Sequence, residues 1–137
     1  MAYWLLKTEA DTFSWDDQVK RGAKGEPWSG VRNFTARENL KQMKNGERAF
    51  FYHTGDEKRI VGIVEVIREH YPDPTDEKGV FKAVDVKAVA PLKTPVTLAE
   101  IKADQQFKDM VLVRQSRLSV QPVADAEWKA ICRKGGV

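Results

Sequence analysis

Residues 48–69, RAFFYHTGDEKRIVGIVEVIRE, decide how the chain is read. Arg48 to Thr54 is dense in aromatic side chains and Arg59 to Glu69 in β-branched ones, which is the composition of strands. Gly55-Asp56 between them is a turn former, so the two runs form a β-hairpin with a loop of a few residues. Gly62, inside the second strand, marks a bulge or a close backbone approach of the kind a sharply curved barrel needs.

Working outward, Tyr3 to Lys7 (YWLLK) reads as a first strand and Val80 to Ala90 as a further one. Leu118 to Val123 is a short strand, and Met110 to Val113 is apolar without a decided state. Helix starts are carried by capping pairs: Ser14 with Asp17, Thr35 with Glu38, and Thr97 with Glu100. Val96 and Ile101 supply a hydrophobic staple for the third. Asp125 is placed to cap a last helix through Trp128 and Ile131, ended by Gly135-Gly136. Residues 22–33 (GAKGEPWSGVRN) and 71–79 (YPDPTDEKG) carry glycines and prolines and read as loops. The strands are not spaced for repeated βαβ units, and no internal repeat or linker interrupts them. The expected fold is one α+β domain over residues 1–137, a mostly antiparallel β-barrel flanked by short helices.

Composition narrows the function. Apolar residues at 42% and charged residues at 31% fit an ordered globular domain rather than a disordered chain. Apolar runs such as Ile60 to Val64 are too short to span a bilayer, so no membrane partner is expected. The start runs directly into Tyr3-Trp4-Leu5-Leu6, from which neither signal nor transit peptide is expected. The lone Cys132 makes no internal disulfide, which with that start leads to the expectation of a cytoplasmic location; the oligomeric state is left open, with a monomer favoured. The net charge of +3 is mild, but Lys20 to Lys44 concentrates seven basic residues against Glu26 and Glu38. A second basic group, Arg114, Arg117, Lys129, Arg133 and Lys134, closes the chain. Solvated surface accounts for such groups as well as nucleic acid does.

No zinc spacing, phosphate-cradling glycine loop or nucleophile elbow is present, so no catalytic residue, metal or cofactor is expected. Tryptophan is the unusual feature, with four in 137 residues. Trp4, Trp15 and Trp128 lie in element patterns that read as core. Trp28 lies in the glycine-rich loop beside Pro27, Ser29 and Gly30, where it is either a core plug or a stacking platform for a base.

At this point the chain resembles the EVE domain family over essentially its whole length. The resemblance rests on Tyr3-Trp4-Leu5-Leu6-Lys7-Thr8-Glu9, then Trp28-Ser29-Gly30-Val31-Arg32-Asn33 with Ala36-Arg37 and Leu40. It continues through Ala49-Phe50-Phe51-Tyr52-His53, Ile60 to Val66, Leu112-Val113-Arg114, Arg117 to Val123 and Glu127-Trp128. Ala10 stands where that family commonly has proline, and the loop around Tyr71 to Gly79 is shorter than in many members. The resemblance implies a PUA-like barrel similar to YTH domains. It also implies a non-enzymatic module that reads a modified base, such as methylated or hydroxymethylated cytosine or methylated adenine, in DNA or RNA.

The expected pocket has Trp28 as one aromatic wall and Tyr52 as another surface. Asn33, His53 and Ser119 are the candidates for the base edge, with Arg32, Arg37 and Arg117 for phosphates. Lys7 and Glu9 either border the site or pair with each other. Asn33 has a competing reading as a helix cap. Tyr52 and His53, being adjacent in a strand, face opposite sides. A general RNA-binding module and a small-molecule binder are the alternative functions.

Overall fold

The computed structural model describes residues 1–137. The hairpin forms the centre of a six-stranded sheet: β3 (Arg48–His53) pairs antiparallel with β4 (Arg59–Pro72), and β4 with β5 (Lys82–Thr97). On the other side of β3 lies β1 (Tyr3–Thr8), parallel to it, followed by β6 (Val120–Val123), antiparallel to β1. A two-residue strand, β2 (Glu26–Pro27), borders β5, so the order is β2-β5-β4-β3-β1-β6. One parallel pair among five makes the sheet mostly antiparallel, as expected. It does not close, however. β2 and β6 are its two edges, so the barrel is approximate.

Curvature comes from breaks in register. β4 slips against β5 at four places and against β3 between Phe51 and Tyr52. Gly62 sits beside these slips, and the space where its Cβ would stand is filled by the Trp15 indole, whose nearest atom is 2.5 Å away. The expected close approach is therefore a tryptophan laid on the strand.

Because successive strand residues face opposite ways, the sheet carries a core on each face. Trp4, Leu6, Ala49 and Phe51 join Trp15, Trp28, Val31 and the helix α2 (Phe34–Gln42) through Ala36 and Leu40. Leu5, Phe50 and Tyr52 join Ile101 of α3 (Leu98–Ala103), Leu112 of α4 (Val111–Arg114), and Trp128 and Ile131 of α5 (Asp125–Gly135). Trp4, Trp15 and Trp128 are buried as read from the sequence.

Two capping boxes form as expected. Ser14 opens α1 (Trp15–Lys20) with Asp17, and Thr97 opens α3 with Glu100. The other two starts are corrected. Helix α2 is capped by Asn33, whose Oδ1 accepts the Ala36 amide at 2.9 Å, and Thr35 is inside the helix. Glu38 is drawn instead to Arg37 at 3.0 Å and Lys41 at 3.6 Å. For α5 the Glu127 carboxylate accepts the Ala124 amide at 3.0 Å, and Asp125 is the first helical residue. Residues 22–33 are more structured than a loop, holding a 3-10 turn at Gly22–Lys24 and β2. The undecided stretch at 110–113 contributes most of α4. Strands β4 and β5 run on past Glu69 and Ala90 because their pairing continues through Tyr71 and Pro91.

Candidate nucleobase-binding site

The loop from Trp28 to Asn33 leaves the sheet where β2 ends. The Trp28 amide donates to the Val84 carbonyl at 2.7 Å, continuing the alignment with β5 for one more residue. The indole then turns inward, edge-on to Phe51 at 5.5 Å and to Phe13 at 6.4 Å. Trp28 is only 7% exposed, yet it lines a cavity of about 480 Å³. It is thus both core plug and cavity wall. That volume falls within the roughly 300–1,000 Å³ of small-molecule sites.

Gly30 takes φ 82°, a backbone state that suits glycine, and its amide turns to the buried Asp73 carboxylate at 2.8 Å. The same oxygen accepts from Arg32 Nη1 at 3.1 Å, while the other accepts the Thr75 amide and hydroxyl, both at 2.7 Å. Arg32 also donates to Thr75 Oγ1 at 3.0 Å and to the Val31 carbonyl at 3.1 Å. Burial by itself pushes the Asp73 carboxyl up, but the hydrogen bonds from Thr75, Gly30 and Arg32 outweigh it and hold the group below its ordinary value. The wall is therefore fixed by an anion 43 residues away.

Opposite the loop, Lys7 and Thr8 at the end of β1 and Ser119 before β6 form the polar side. The Lys7 amide donates to the Ser119 carbonyl at 2.9 Å, and its ammonium to the Ser116 carbonyl at 2.6 Å. Burial pushes the Lys7 ammonium below the usual lysine range. Glu26, held by Arg21 at 3.0 Å, adds an anionic acceptor. Aromatic walls with separate donors and an acceptor suit a flat heterocycle whose edge carries both.

Of the residues singled out from sequence, Trp28, Arg32 and Ser119 meet in this cavity. Asn33 and Arg117 line a second cleft of about 360 Å³, whose residues Asn33 and Leu118 are sequence neighbours of the cavity residues Arg32 and Ser119. The Asn33 acceptor is already used in capping. Arg37 lies on the outer side of α2, bonded to the Val80 carbonyl at 3.1 Å. Tyr52 is in the core of the other sheet face, where burial pushes its hydroxyl up to about 12. His53 shares the face of Trp28, but its Nε2 accepts the Trp15 amide at 3.0 Å and its Nδ1 meets Glu57 at 3.0 Å. Neither Tyr52 nor His53 lines the cavity. The second wall is Phe13, which the sequence reading passed over because it precedes the Ser14 cap outside any element. Asp73 was equally hidden, although Asp73-Pro74-Thr75 is a turn signature. Lys7 borders the cavity and Glu9 does not.

Several known proteins are similar to this chain in sequence and fold. The family model described as EVE domain matches residues 2–134. Human thymocyte nuclear protein 1 is 33% identical over 159 aligned positions, covering 93% of this chain and 71% of that protein. A Rhodopseudomonas palustris protein solved by NMR superposes with TM-score 0.94 at 57% identity, covering 99% of this chain and 94% of the other. The crystal structure of human THYN1 protein in complex with 5-methylcytosine containing DNA superposes with TM-score 0.92 at 31% identity, covering 100% and 99% of the two chains. The YTH domain of Zygosaccharomyces rouxii MRB1 protein superposes with TM-score 0.59 at 20% identity, covering 99% and 85%, a likeness of fold alone.

Proposed function

The chain belongs to the EVE domain family, and on that premise we propose that it binds nucleic acid by taking one base, in modified form, into the Trp28–Phe13 cavity. The observation that carries this reading is the cavity itself: two aromatic walls, a rim of Lys7, Ser119 and Glu26, and basic residues beside it. Its support from outside is the related human structure, which was solved with 5-methylcytosine containing DNA.

In this reading one face of the base lies against Trp28, and Phe13, edge-on to that indole, borders the base at its side. Stacking on such rings contributes about 1–3 kcal/mol per base with little preference among bases. Selectivity falls to the rim, where the Ser119 hydroxyl donates and Glu26 accepts. Arg32 acts through the loop it pins with Asp73. Arg117 and Asn33, which line the second cleft, are assigned in this reading to the phosphates that flank the base. The role is binding without catalysis.

A base inside a duplex must be extruded, which costs a few kcal/mol, so single strands and mismatched sites are favoured. One methyl group in an apolar pocket discriminates by about 1–3 kcal/mol, so preference for a modified base lies between roughly tenfold and two hundredfold. No helix is long and apolar enough to cross a membrane.

The test is fluorescence anisotropy with short DNA and RNA, single- and double-stranded, carrying plain or methylated cytosine or adenine, at two salt concentrations. A gain with modification that Trp28→Ala abolishes supports the reading. Equal, salt-sensitive binding to every oligonucleotide reduces it to general nucleic-acid binding, and absence of binding overturns it.

A further inference from the structure

Outside the cavity, the start of α2 carries an aromatic side chain that the core does not use. Phe34 is 61% exposed, more than any other large hydrophobic residue except Met1. It is not isolated. Its ring stacks on Phe81 at 5.3 Å and 23°, and the exposed Val80 adjoins Phe81 in sequence. The Arg37 guanidinium lies 4.9 Å from the Phe34 centroid, and that of Arg32 lies 5.4 Å from the Phe81 centroid.

Two features say what such a surface fits. Arg32 belongs to both places: its side chain lines the cavity and also covers Phe81, so the aromatic shelf begins at the cavity mouth. The shelf is also a series of flat π groups bordered by two cations, which complements a base attached to a phosphate. Extruding a base leaves its neighbour without a stacking partner, and proteins that unstack nucleic acid commonly fill that gap with an apolar side chain.

Resting on the function proposed above, we propose that Phe34 stacks on the base adjacent to the one held in the cavity. The occupant is thus the neighbouring nucleotide of the same strand. Phe81 backs the Phe34 ring, and the arginines match the negative charge of the backbone. The shelf makes the module bind a short stretch of strand in preference to a free nucleoside.

The probe is a labelled single-stranded pentanucleotide with central 5-methylcytosine, compared with the same strand whose two central neighbours are abasic. Phe34→Ala and Phe34→Leu are expected to weaken the intact strand about five- to tenfold. They are expected to bind the abasic-flanked strand as wild type does, and Phe34→Trp is expected to retain full affinity on both. The leucine variant keeps an apolar side chain, so its loss reports the missing ring. Undiminished binding of the intact strand by both variants overturns the shelf while leaving the cavity reading intact. An equal loss on both strands also overturns it, since the effect then does not pass through the neighbouring base. If wild type binds neither strand, the proposed function falls and the shelf with it.

Discussion

Asp73 and Arg32 meet at 3.1 Å with the aspartate side chain fully buried, and the oxygen that holds the arginine also holds the Gly30 amide at 2.8 Å. One carboxylate thus fixes both ends of the Ser29–Arg32 turn that follows Trp28. The Arg32 side chain is nonetheless 41% exposed, so the pair leaves part of the guanidinium open to solvent.

Removing that carboxylate loosens the cavity wall. Asp73→Ala is expected to cost about 1–3 kcal/mol in urea unfolding, below the full value of a buried pair because Arg32 is partly exposed. The same variant should weaken oligonucleotide binding, whereas Arg32→Lys, which keeps one donor to Asp73, should retain most of the stability.

Acid should act through the same group. The Asp73 and Glu47 carboxyls are held below their ordinary values of 3.8 and 4.5; in each, hydrogen bonds outweigh burial. For Glu47 the donors are the Trp4 indole and the Lys44 and Ala2 amides. A depressed folded value contributes stability above the unfolded value, and that contribution is lost as pH falls through the folded one. Stability from these groups should therefore be level from pH 7 to about 5 and decline below about pH 4. Chemical denaturation across that range checks it, and Asp73→Asn and Glu47→Gln should each flatten the acid decline.

Gly62→Ala sets a methyl group 2.5 Å from the Trp15 ring, in a strand with no room to recede. Overpacking of this kind costs about 1–3 kcal/mol, read as a lower thermal midpoint. Trp15→Leu in the same chain should recover part of the loss.

The two sheet faces separate residues that the sequence reading had grouped. Ser119→Ala should lower affinity for a modified oligonucleotide about two- to tenfold, the worth of one hydrogen bond. Tyr52→Phe should leave that affinity unchanged, because Tyr52 is packed on the opposite face. Parallel anisotropy titrations of the two variants distinguish them.

What could be read in the sequence was what is local. The Ser14–Asp17 and Thr97–Glu100 boxes span three residues, and both form. Trp28 stood out because the glycines and proline around it read as a loop, although β2 ends at Pro27 beside it. Alternation also separated Tyr52 from His53, but which face holds the cavity depends on where α2 docks. Asp73 lies 43 residues from Gly30, and the sequence pattern does not reveal that a turn carboxylate will reach across that distance. Asn33 illustrates competition at short range: its side chain satisfies the Ala36 amide, and the helix therefore starts ahead of Thr35.

The most direct test of the central claim is the indole region of a nitrogen-15 correlation spectrum, with the Trp28 signal assigned from Trp28→Phe. A single-stranded oligonucleotide with one 5-methylcytosine is added, and then its unmodified counterpart. The account predicts that the Trp28 signal moves on addition of the methylated strand, moves less with the plain one at equal concentration, and that the Trp128 signal on the opposite sheet face stays in place. A Trp28 signal that stays fixed while the oligonucleotide binds elsewhere would contradict it.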